Sequence, residues 1–149
     1  MKAYHLMGKA PYFTNCFMLT DTSGNAVLID CSADVEKVKA ILENDRAQLK
    51  AILLTHGHFD HVGAVEKIVK ETGCALWMHQ GDYSQFNNPT TAYFYPLANC
   101  NFTEVNFCEE GEVIHAGGLT FTVMATPGHT YGSVCYKCGD ALFCGDTLF

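Results

Sequence analysis

Apolar residues recur along the chain in two rhythms. Short runs at AYHLM (3–7), NCFMLT (15–20) and NAVLID (25–30) predict strands, with the turn-rich DTSG dividing the last two. From residue 33 to 44 the spacing lengthens. Val35, Val38, Ile41 and Leu42 fall on one face, which predicts a helix with Ser32 as its N-cap. AILLT (51–55) has the length and branching of a buried strand. Val62, Val65, Ile68 and Val69 then mark a second helix, stopped by Gly73, and CALWMH (74–79) predicts another strand.

Residues 81–106 show no period and predict a surface excursion with a short helix. Their aromatics Tyr93, Phe94 and Tyr95 suit a cleft wall or a cover over the core equally well. LTFTVMAT (119–126), GSVCYKC (132–138) and ALFCGD (141–146) predict strands, the last two joined by a two-residue turn at Gly139-Asp140. Helices alternating with strands and hairpins predict an α/β fold in which a sheet is layered against helices. No repeat or linker interrupts it, so residues 1–149 are expected to form one domain.

Composition narrows the function. The chain is 48% hydrophobic and 17% charged, which suits a packed core. Its net charge is −7 and its nine Lys and Arg are scattered, so no basic patch is offered to a nucleic acid. The N-terminus lacks the apolar core of a signal peptide, and no run approaches the roughly 18 apolar residues of a membrane helix. A cytoplasmic protein with no membrane partner is expected, its eight cysteines reduced and mostly buried. Cys135-x-x-Cys138 is expected to belong to a plain hairpin.

The chemistry concentrates in HGHFDH. On a backbone leaving a strand in extended form, His56 and His58 point the same way and can approach one metal together. Asp60 and His61 lie where the chain turns into the helix, placed to face a second ion. Imidazole and carboxylate suit zinc, and also iron or manganese. His129, presented by the Pro127-Gly128 turn, and Asp146, after a glycine at a strand end, are candidates to join them. His5, His79 and His115 are expected to be structural or exposed, with His115 in a turn-like HAGG. Phe59, inside the histidine loop, is placed for substrate contact or for packing.

THGHFDH (55–61), PGHT (127–130) and GDTLF (145–149) together resemble the metallo-β-lactamase superfamily, and TPGHTYGSVCY is most similar to its glyoxalase II-like thioester hydrolases. The resemblance implies a four-layer αββα sandwich with the metals at one sheet edge, and Asp30 packed beneath them. It implies that His56, His58 and His129 hold one zinc, that Asp60 and His61 hold a second, and that Asp146 bridges both. It also implies a last histidine for the second ion from a segment after GDTLF, which residues 1–149 do not contain. A C-terminal layer missing from the fold would expose apolar sheet and favour self-association.

The expected activity is hydrolysis of a small-molecule ester, thioesters first, by a metal-activated hydroxide that Asp60 orients and deprotonates. An alternative from another class is a persulfide dioxygenase that uses one iron at the first site. A catalytically incomplete metal-binding fragment is the third reading.

Overall fold

The computed structural model describes residues 1–86 and 104–149. Two sheets carry the fold. The first runs in the order β1 (Lys2–Met7), β2 (Asn15–Thr20), β3 (Asn25–Ile29), β4 (Gln48–Leu53), β5 (Ala75–His79), β6 (Asn106–Cys108). β1, β2 and β3 pair antiparallel, whereas β3, β4, β5 and β6 pair parallel. The second sheet is wholly antiparallel, in the order β10 (Ala141–Phe143), β9 (Val134–Cys138), β8 (Leu119–Ala125), β7 (Val113–Ala116).

Alternation along the strands makes two cores from one sheet. In β3, Ala26 and Leu28 join the cluster that includes Val38, Val65 and Ile68 of the helices. Val27 and Ile29 face the other way, onto Phe121, Val123 and Tyr136 of the second sheet. Burial on both faces explains why β3 and β4 are almost continuously apolar. The layers are thus helix, six-stranded sheet and four-stranded sheet. On the outer face of the latter, Val113, Met124 and Leu142 are exposed.

The helices follow the predicted stripes with corrections at their ends. α1 spans Val35–Asn44, and its N-cap is Asp34, whose carboxylate accepts from Glu36 N at 3.1 Å. Ser32 is not the cap, because its hydroxyl is engaged with Cys16 Sγ at 3.3 Å. The second predicted helix is two: α2 (Phe59–Val62) and α3 (Val65–Thr72), the latter closed by Gly73 at φ 67. A short α4 (Tyr83–Phe86) follows a single 3-10 turn, Gln80–Asp82.

β4 begins three residues before the predicted strand and ends at Leu53, leaving Leu54 and Thr55 in a different pairing. Val134 N donates to Thr55 O and Tyr136 Oη to Leu54 O, so this exit is tied to β9 of the facing sheet. His115 lies in β7 rather than in a turn, since Ala116 pairs with Leu119 and the turn is Gly117-Gly118. The predicted Gly139-Asp140 turn is present, with Cys138 paired to Ala141 and all described cysteines free. Tyr93, Phe94, Tyr95 and Cys100 lie outside the described residues.

Candidate metal centre

Parallel pairing brings the carboxyl ends of β3, β4 and β5 to one edge, where they deliver Asp30, the Thr55–His61 segment and the Asp82 turn. The facing sheet sends its β8–β9 loop, with His129, and the 3-10 turn after β10, with Asp146, to the same edge. All six sequence candidates, His56, His58, Asp60, His61, His129 and Asp146, therefore converge.

Asp30 organises the buried side of the cluster. It sits at φ 55 and is 2% exposed. Its Oδ1 accepts from Thr55 N at 2.8 Å, and its Oδ2 accepts from Thr55 Oγ1 at 2.8 Å and from His61 Nδ1 at 2.9 Å. The single Thr55 hydroxyl proton goes to the carboxylate, so Thr55 Oγ1 accepts from His56 Nδ1 at 3.1 Å. Both His56 and His61 are thereby turned to present Nε2 to the centre of the site.

The two nitrogens differ in their surroundings. His56 Nε2 is buried and has no hydrogen-bond partner. Burial, and then repulsion from His61, lowers the His56 pKa to about 3, so it is neutral at physiological pH. Burial also lowers His58, with His129 adding to the effect. His61 is different: burial opposes its charge, but its bond to Asp30 and the Asp30, Asp60 and Asp146 charges raise its pKa. A cation replacing that proton would meet the same carboxylates.

The donor atoms fall into two overlapping sets. His56, His58 and His129 each offer one nitrogen, all within 4.8 Å of one another. His56, His61 and Asp146 form the second. Asp146 spans them: its Oδ1 is 3.2 Å from His61 Nε2, and its Oδ2 is 3.2 Å from His129 Nε2 and 4.0 Å from His56 Nε2. Asp60 Oδ2 lies 3.6 Å from His61 Nε2 and accepts from Thr14 Oγ1 at 2.8 Å. Imidazoles pooled around an orphaned buried nitrogen, with carboxylates at hand, suit a divalent transition metal.

A cavity of about 450 Å³ adjoins the Asp60, His61 and Asp146 side, walled in part by Tyr12, Phe17 and Phe149. Phe59 sits edge-on to Tyr12 and packs against the helix-side core. The remaining histidines stay apart. His5 bonds Asn15 and stacks on Phe17, His79 accepts from Gly81 N, and His115 bonds Thr120.

Sequence reasoning missed Thr14 and Asp82. Asp82 is fully buried, and its carboxylate accepts from Gly57 N, Thr130 Oγ1 and Gly132 N. It stands in the stretch without hydrophobic period, where a single aspartate in a turn carries no signal of its own.

The metallo-beta-lactamase superfamily profile matches residues 10–149. A hydroxyacylglutathione hydrolase of Erwinia tasmaniensis is 38% identical over 131 residues, covering 88% of this chain and 45% of that protein. A probable polyketide biosynthesis zinc-dependent hydrolase of Bacillus velezensis is 32% identical, covering 100% of this chain and 60% of its own length. This chain therefore spans about half the length of these two relatives. Among solved structures, the BLEG-1 B3 metallo-beta-lactamase superposes with a TM-score of 0.86 at 28% identity, covering 99% of this chain and 73% of that one. TTHA1623 in a di-iron-bound form gives 0.81 at 32% identity, covering 97% and 72%. The chain belongs to the metallo-β-lactamase superfamily, a conclusion the matched fold and the clustered histidines support together.

Proposed function

We propose that this chain carries the metal centre of a hydrolase that cleaves thioesters, with two zinc ions as the cofactor. The observation that carries the reading is the spread of Asp146, whose two oxygens reach two different histidine groups. His56, His58 and His129 would hold one ion, Asp60 and His61 the other, and Asp146 both. The same nitrogens and carboxylates also accept iron.

Bound zinc supplies water acidic enough to give hydroxide near neutral pH, and a Lewis acid for a carbonyl oxygen. The chain's own groups do the rest. Asp30 and Thr55 hold His56 and His61 in the tautomer that leaves Nε2 free. Asp60, steadied by Thr14, orients the attacking water and takes its proton. A thiolate is a good leaving group and departs without help from an acid.

The test is thiol release from a glutathione thioester of a 2-hydroxy acid by protein loaded with zinc or, separately, with iron(II). Zinc-dependent release that falls in Asp60→Asn supports the reading. Oxygen uptake on a persulfide by the iron form, with no thiol release by either, would replace it with the one-iron dioxygenase. Metal uptake with neither activity would leave a metal-binding fragment.

A further inference from the structure

Asp82 is a buried acid that the proposed reaction does not use. It lies in the turn after β5, with no solvent exposure, and no lysine or arginine pairs with it among the described residues. A buried carboxylate costs several kcal/mol unless hydrogen bonds compensate it. Here the compensation comes from the two segments that carry the outer histidines. Asp82 Oδ2 accepts from Gly57 N, between His56 and His58, at 2.9 Å. The same oxygen accepts from Thr130 Oγ1, next to His129, at 2.7 Å. Oδ1 accepts from Gly132 N at 2.7 Å, and Thr130 Oγ1 is also within 2.7 Å of Ser133 Oγ.

The shape of the two segments matches these bonds. A Cβ on Gly57 would stand 2.8 Å from Asp82 O, and one on Gly132 would stand 2.6 Å from Asp82 N. Both histidine loops thus use a glycine where they press against the Asp82 turn. His58 belongs to the first sheet's loop and His129 to the second sheet's, so their spacing depends on whatever ties the loops together. Nearest the two histidines, one carboxylate oxygen bonds both loops, beside the Val134 N to Thr55 O bond that joins the same segments further back.

We propose that Asp82 is a positioning residue that sets the gap between His58 and His129 and, as a buried anion behind them, strengthens their hold on a divalent cation. The inference rests on the metal-holding reading of these histidines and is independent of the substrate. Groups outside the direct ligands commonly govern metal affinity in this way, by orienting the ligands and by their charge.

The test is zinc affinity by chelator competition and the visible spectrum of the cobalt(II) form. Asp82→Asn keeps the volume but removes the charge and one acceptor. Zinc affinity should fall about 10- to 100-fold and the cobalt bands should shift. Asp45→Asn is the control. Asp45 also gathers several donors, Lys2, Tyr4 and Thr20, but before β4, at the opposite end of that strand from the histidine loop. It should lower stability while leaving affinity and spectrum unmoved. Thr130→Val keeps the charge and cuts one tie, so it should shift the bands, and Thr130→Ser should restore them.

An Asp82→Asn chain with parental affinity and spectrum overturns the proposal. So does an affinity loss that Asp45→Asn reproduces. If Asp82→Asn does not fold, unchanged cobalt bands in Thr130→Val overturn it. A parent chain that takes up no zinc overturns the metal reading itself, and this inference with it.

Discussion

His58 Nδ1 and His129 Nε2 lie 3.0 Å apart, although the two residues are 71 positions apart in the sequence and belong to loops of different sheets. With His56 Nε2 orphaned beside them, the three nitrogens need a proton or a cation between them. Protons and a metal ion should therefore compete for these nitrogens.

The first prediction is an acid dependence of the metal-free fold. His56 has its ordinary pKa near 6.5 when unfolded and about 3 when folded, because burial and His61 disfavour its charge. The unfolded state therefore binds the extra proton first. The stability that a neutral His56 contributes is present above pH 6.5 and is lost as the pH falls toward 3. Urea midpoints measured from pH 7 to pH 4 should fall more steeply for the parent than for His56→Gln.

Asp60→Asn should depress turnover without unfolding the chain. The amide can still accept from Thr14 Oγ1, as Asp60 Oδ2 does at 2.8 Å, but it cannot take a proton from water. Turnover of a thioester should drop by about 100-fold or more while the fold is retained. Parental turnover in this variant would remove Asp60 from the catalytic role.

Asp30→Ala should be costly to stability. It deletes the acceptor for Thr55 N, Thr55 Oγ1 and the Nδ1–H of His61, all buried. Three stranded donors predict a loss of about 3 kcal/mol in chemical denaturation. A loss within a few tenths would mean that water reaches these groups.

Gly145→Ala should disturb Asp146 from behind. Gly145 has φ 50, and an added Cβ would collide with Thr55 Oγ1. Thr55 cannot retreat without breaking its bonds to Asp30 and His56, so the turn bearing Asp146 must move. The expected outcome is a stability loss of about 2 kcal/mol and weaker uptake of both ions.

How much of this the sequence discloses depends on how locally each role is encoded. The histidine loop announces itself because HGHFDH places donors at spacings that a strand exit and a helix start resolve into two directions. The two-faced burial of β3 and β4 also shows as unbroken apolar runs. His129 and Asp146 carry only a turn and a strand end as local signals, and they gain meaning from the shared family motif. Asp82 and Thr14 stay hidden because their importance lies in partners distant in sequence, Gly57, Thr130 and Asp60, which folding alone reveals. β6 and β7 are missed for another reason. They are only Asn106–Cys108 and Val113–Ala116, too short for a period to establish itself.

The most direct test of the account is titration of the metal-free chain with cobalt(II) and zinc, comparing the parent with His58→Ala, His129→Ala and Asp146→Asn. Either histidine change should abolish the tight first binding event, and Asp146→Asn should weaken both events. Parental affinity and stoichiometry in His58→Ala and His129→Ala would contradict the account.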